Sequence, residues 1–105
     1  MDIRFDNQIA LVTGAGSGLG EAIALELAAS GATVVAADLH EATARATAER
    51  IVAAGGRAEA VAGDVSDPEQ VRKAVEVAKG LGGLHLLVNN AGIGGPSAPV
   101  GEYPL

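Results

Sequence analysis

The chain has no cysteine among its 105 residues. Disulfides, thiolate catalysis and cysteine–zinc sites are therefore excluded. The absence suits a reducing cytosol. Basic residues are also scarce, with 7 Lys and Arg against 13 Asp and Glu, a formal net charge of -6 and a pI near 4.7. A diffuse acidic balance argues against a nucleic-acid backbone as partner. It does not argue against a nucleotide, which backbone N–H groups can grip locally. No run approaches the ~18 apolar residues of a membrane span, so no membrane partner is expected. The N-terminal MDIRFDNQIALV carries two aspartates and a short apolar run, unlike a signal peptide. A cytoplasmic protein is the expectation.

What remains is 49% hydrophobic and 19% charged, the balance of a folded globular chain. The length suits one domain over residues 1–105 with a modest core. There is no internal repeat beyond a βα unit and no domain boundary. Apolar runs alternate with helical stretches. Ile9–Val12 reads as the first strand and Gly18–Ser30 as a helix, with Leu19, Ile23 and Leu27 on one face and Gly31 as its stop. Thr33–Ala37 reads as a second strand ending at Asp38, and Glu41–Ala54 as a second helix with Ala44, Ala48 and Ile51 sharing a face. A weaker strand follows over Arg57–Ala62. The next helix has the best start in the chain: Asp67 suits the N-cap, Pro68 the first position and Gln70 the reciprocal third position. Its stripe is Val71, Val75 and Ala78, and Gly80, Gly82 and Gly83 break it. Leu84–Val88 reads as the fourth strand, running into Asn89-Asn90-Ala91-Gly92 and a glycine- and proline-rich end.

This β-α-β-α-β-α-β pattern predicts an incomplete Rossmann-type, doubly wound parallel α/β sheet. In strand order 3-2-1-4, the ligand crevice lies beyond the carboxyl ends of strands 1 and 4. The turn Thr13–Gly20, TGAGSGLG, stands at that place. A glycine-rich strand-to-helix turn lets backbone approach a phosphate, and the helix N–H groups point at the anion. A P-loop is excluded, because its sixth position holds Leu19 and no lysine follows. The GxGxxG fingerprint fails as well. GxxxGxG fits on Gly14, Gly18 and Gly20. A GxGxG reading on Gly14, Gly16 and Gly18 also fits, as in many methyltransferases that use S-adenosylmethionine. Asp38, 20 positions after Gly18, can accept hydrogen bonds from ribose hydroxyls and would repel a 2′-phosphate. With no Lys or Arg beside the glycines or at Leu39, the pattern favours NAD over NADP. The plain alternative for Asp38 is a helix N-cap.

Four motifs in order resemble the short-chain dehydrogenase/reductase family: TGxxxGxG after strand 1, Asp38 closing strand 2, Asp64-Val65 after strand 3, and Asn-Asn-Ala-Gly after strand 4. The resemblance covers essentially the whole chain. It implies that Gly14, Ser17, Gly18, Leu19 and Gly20 line the pyrophosphate, and that Asp38 and Leu39 flank the adenosine ribose. It places Asp64 and Val65 at the adenine. Asn90, Ala91 and Gly92 would border the adenosine and nicotinamide side, and Asn89 would brace strand 4. Plain turn and capping roles are the alternatives for Asn89-Asn90 and Asp64.

Family chemistry uses a Ser and a Tyr-x-x-x-Lys pair. The only tyrosine here is Tyr103, with no lysine four on, and the lysines are Lys73 and Lys79. No catalytic residue is assigned, and His40 and His85 show no visible partner. The expectation is the NAD-binding N-terminal part of an oxidoreductase, truncated before its catalytic segment. Such an enzyme moves hydride between NAD(H) and a secondary alcohol or ketone, its small-molecule partner. The rival readings are a non-catalytic nucleotide-binding scaffold or sensor, and a methyltransferase fragment. An apolar edge on strand 4 would make the chain self-associate or leave it only marginally stable.

Overall fold

The computed structural model describes residues 4–16, 18–64 and 66–90. The elements are β1 (Ile9–Thr13), α1 (Gly18–Ala29), β2 (Thr33–Asp38), α2 (Glu41–Ala53), β3 (Arg57–Ala62), α3 (Pro68–Gly80) and β4 (Leu86–Asn89). All pairings are parallel, and the sheet order is β3-β2-β1-β4. The expected doubly wound topology is therefore present, with its crossover between β1 and β4.

β1 and β2 are apolar on both faces because both are covered. Ile9, Leu11, Val35 and Ala37 alternate toward α3, where they meet Ala74 and Ala78. Val12, Val34 and Ala36 point the other way, toward Ala24 of α1 and Ile51 of α2. Central parallel strands read as continuous apolar runs for this reason. β4 is only half-buried.

Each helix ends in the same way. The N–H of the second residue past the cap reaches back to the third-last helical carbonyl: Ala32 to Leu27 (3.1 Å), Gly56 to Ile51 (2.9 Å), and Gly83 to Ala78 (3.1 Å). This Schellman geometry requires a left-handed residue, supplied by Gly31, Gly55 and Gly82 at φ 101°, 95° and 131°. At the other end, α3 starts as expected, with Asp67 accepting from Glu69 N–H (3.0 Å) and Pro68 in the first turn.

Three details differ from the sequence reading. α1 buries Gly20 and Ala24, whereas Leu19 is 59% exposed. The helix is apolar nearly all round, so periodicity selects no face, and contact with β1 and α2 decides. In α3 the fully buried pair is Ala74 and Ala78, with Val71 near the surface. β4 begins two residues later than Leu84. His85 still belongs to the sheet margin: its N–H donates to the Ile9 carbonyl (3.0 Å), and its Nδ1 accepts from the Ile9 N–H (2.9 Å). An imidazole thus stands in for a strand carbonyl, and His85 does have a partner.

Candidate functional site

The carboxyl ends of β1, β2 and β4 bring the motif residues together. Gly14 leaves β1 at φ 63°, and Gly18 opens α1 at φ 57°, both left-handed. Between them, Ala15 is fully buried; its N–H donates to the Ala37 carbonyl (3.0 Å), and its carbonyl accepts from Thr47 Oγ1 (2.8 Å). The turn is therefore tied to β2 by backbone and to α2 by a buried hydroxyl. A Cβ on Gly20 would collide with the Gly14 carbonyl and stand 2.6 Å from Asn90 Nδ2. That absence of a side chain lets α1 start hard against β1. A Cβ on Gly18, by contrast, meets nothing within 4 Å. The first-turn N–H groups of α1 lack partners within their own helix and carry its positive end. Such N–H groups are the kind that can hold an anion.

Asp38 closes β2 beside this turn. Its carbonyl accepts from Gly63 N–H (2.9 Å), and its Oδ2 accepts a short hydrogen bond from Thr43 Oγ1. The N-cap of α2 is His40, which makes no side-chain cap. The plain capping role for Asp38 is thus set aside. Gly16 explains how close these parts are: a Cβ there would lie 2.5 Å from Asp38 Oδ2 and 2.5 Å from Thr43 Oγ1.

Thr13 joins β1 to β4. Its hydroxyl lies 3.0 Å from Asn89 Oδ1 and 3.4 Å from the Val88 carbonyl, and accepts from Asn90 N–H at 3.0 Å. Asn90 Nδ2 donates to the Gly14 carbonyl at 3.3 Å. Asn89 and Asn90 therefore lock the end of β4 onto the glycine turn.

Asp64 follows β3. Its Oδ1 accepts from Ser66 N–H (2.8 Å) and Ser66 Oγ (2.7 Å). These two bonds, the backbone one first, hold its carboxyl below the usual carboxylate range. Asp64 does not cap α3, a role taken by Asp67. Gln70 departs from the reciprocal capping pattern. It accepts from Asp64 N–H and donates to Asp67 Oδ2 (3.3 Å), so it holds the β3–α3 turn together.

A cavity of about 230 Å³ opens on the α3 side of this end, with Thr13, Asp64, Gln70 and Asn89 at its polar margin and Leu11 and Ala74 below. A hollow of about 390 Å³ between Arg4, Gly31 and Arg57 lies at the opposite end of the strands and gathers none of the motif residues. Leu19 and Leu39 sit exposed, at 59% and 61%. Of the expected site residues, Gly14, Gly18, Gly20, Asp38, Asp64 and Asn90 gather at this end of the sheet. Ser17, Val65, Ala91 and Gly92 lie outside the described residues.

Sequence reasoning had Thr13 only as the first residue of the glycine turn, without its bonds to β4, and missed Thr43 and Thr47 as groups that build this end of the sheet. For Thr47 a signal existed: it is a fully buried polar residue on the apolar face of Ala44, Ala48 and Ile51. The arrangement fits a dinucleotide. A helix N-terminus follows the glycine turn, the Asp38 carboxylate stands against Gly16 of that turn, and the glycines leave room for backbone approach.

Comparison with known proteins gives the same frame. The family model for short chain dehydrogenases matches residues 8–104. Cyclohexanol dehydrogenase from Acinetobacter sp. (strain SE19) is 46% identical over 94 residues, covering 89% of this chain and 38% of that protein. The crystal structure of a hydroxysteroid dehydrogenase from Escherichia coli superposes with a TM-score of 0.83 at 36% identity, over 93% of this chain and 43% of that one. A 7α-hydroxysteroid dehydrogenase complexed with NADH and 7-oxo glycochenodeoxycholic acid superposes with a TM-score of 0.81 at 34% identity, over 84% and 35% of the two chains. The chain spans 38% of the length of the first of these, the cyclohexanol dehydrogenase.

Proposed function

The chain belongs to the short-chain dehydrogenase family, and from that premise we propose that it is the NAD-binding part of an oxidoreductase acting on a secondary alcohol or ketone. The observation that carries the reading is the junction at Gly16, where the phosphate-type turn and the Asp38 carboxylate meet without a side chain between them. In this reading the first turn of α1 holds the pyrophosphate, with Gly14, Gly18 and Gly20 giving the backbone its approach. Asp38 accepts from the adenosine ribose, and its negative charge disfavours a 2′-phosphate, so NAD is preferred over NADP. Asp64, already ionised, accepts from the adenine amino group. Asn90 keeps the end of β4 against the turn. The bound nicotinamide supplies hydride transfer; the residues of this chain bind and orient it. None of the described residues is assigned a catalytic role. Two of the relatives named above act, by name, on cyclohexanol and on a hydroxysteroid, which supports an alcohol or ketone as the substrate class. A cytoplasmic location and self-association through β4 complete the proposal. The methyltransferase reading finds no support in the family match.

Isothermal titration tests it. NAD binds the chain, NADP binds more weakly, and S-adenosylmethionine does not compete. Absence of NAD binding, or equal binding of S-adenosylmethionine, overturns the reading.

A further inference from the structure

We propose that Thr43 is a positioning residue for cofactor choice: its hydroxyl clamps one oxygen of Asp38 over Gly16, so that the carboxylate meets the adenosine ribose in a fixed orientation. The proposal rests on the reading of Asp38 as the ribose acceptor and adds how its direction is set.

Thr43 Oγ1 has a single hydrogen and two acceptors within reach, Asp38 Oδ2 and, at 3.0 Å, the His40 carbonyl. Both acceptors lie within reach of the one hydroxyl hydrogen, and a carboxylate oxygen is the stronger acceptor of the two. Thr43 lies in the first turn of α2, and its hydroxyl also reaches the i−3 carbonyl of His40, in one of the two χ1 rotamers open to a helical threonine. Below the pair, Gly16 supplies the floor. A Cβ there would lie 2.6 Å from Thr43 Cβ as well as against both bonded oxygens. Among the described residues no hydrogen bond is made to Asp38 Oδ1. One oxygen is therefore held by protein, and the other is left to a ligand hydroxyl. A carboxylate held in this way loses less rotational freedom on binding. The bond also opposes its swinging aside to admit a 2′-phosphate.

The test is titration of the whole chain with NAD and with NADP, for wild type, Thr43→Val, Thr43→Ser and Asp38→Ala. Valine keeps the shape of threonine without its hydroxyl. Thr43→Val is expected to weaken NAD binding roughly three- to tenfold, with NADP unchanged or improved, while Thr43→Ser keeps the wild-type preference. Equal losses for both cofactors in Thr43→Val would indicate a purely structural role and overturn the proposal. So would wild-type values in Thr43→Val beside a lost preference in Asp38→Ala, and that result would leave the ribose reading standing. An unchanged preference in Asp38→Ala, or no NAD binding by wild type, overturns the ribose reading and the proposal with it.

Discussion

Gly20→Ala separates two physical effects of opposite sign. Gly20 lies inside α1, where alanine is favoured over glycine by about 1 kcal/mol from backbone entropy alone. If nothing touched the new methyl group, the variant would be more stable. In the structure the methyl group would strike the Gly14 carbonyl and lie 2.6 Å from Asn90 Nδ2. Asn90 could turn away, but the Gly14 carbonyl is backbone at the end of β1 and cannot. Relief requires α1 to lift from the sheet, which places the cost near the top of the usual overpacking range, about 3 kcal/mol. The net expectation is a loss of about 2 kcal/mol, or a fall in Tm of about 8–16 °C for a domain of this size. The chain has no tryptophan, so thermal and urea unfolding are best followed by far-ultraviolet circular dichroism. Gly80→Ala is the control. It closes α3, does not have a left-handed φ, and would meet no atom within 4 Å. It should leave stability unchanged or raise it by up to about 1 kcal/mol. A Gly20→Ala protein as stable as wild type would show that α1 does not press on the Gly14 carbonyl, and the packing account of the third glycine would fail.

Thr47→Val removes the hydroxyl that satisfies the Ala15 carbonyl and should cost about 1–3 kcal/mol in urea unfolding, with Thr47→Ser closer to wild type; equal stability of all three would refute the tie between α2 and the turn. Asp64 has a lowered folded pKa against an ordinary 3.8, so its contribution to stability is present above that value and lost as pH falls through the lowered one. A carboxyl-carbon NMR titration should find its midpoint below 3.8, and Ser66→Ala, which keeps the backbone N–H bond and removes the hydroxyl one, should move it part of the way upward; no movement would count against the Ser66 hydroxyl as a cause. Leu87 is 58% exposed on β4, an edge strand among the described residues. Sedimentation should show self-association that Leu87→Lys reduces, and a monodisperse wild-type monomer would contradict this.

Features governed by neighbours in the chain were legible in the amino-acid order. The alternation of strands and helices, the Asp67-Pro68 helix start and the glycine stops after α1 and α3 follow from local backbone chemistry, whereas the order β3-β2-β1-β4 was a premise taken with the doubly wound fold. The spacing of Gly14, Gly18 and Gly20 placed a candidate site at the end of β1, and the structure brings these glycines together there. Its competitor spacing through Gly16 was left open, because both patterns are present in the same turn. The structure gives each glycine its own reason: left-handed backbone at Gly14 and Gly18, a helix pressed on a strand at Gly20, and a seat for Asp38 and Thr43 at Gly16.

The remainder depended on contacts across the fold. Which face α1 buries could not be read from a helix that is apolar nearly all round; β1 and α2 choose Gly20 and Ala24. That His85 completes the Ile9 backbone pairing depends on two residues 76 apart coming into register. The bond from Thr43 to Asp38 spans only five positions, yet it matters because Gly16, from another element, lies beneath it. Sequence determined the type of fold, the end of the sheet that holds the site and the chemistry of its polar groups, because backbone conformation and hydrophobic period are local properties. Tertiary structure decided which oxygen of Asp38 is bonded by Thr43, which glycine bears a close approach and which threonines tie the elements together at this end of the sheet, because those depend on distances between elements that only packing sets.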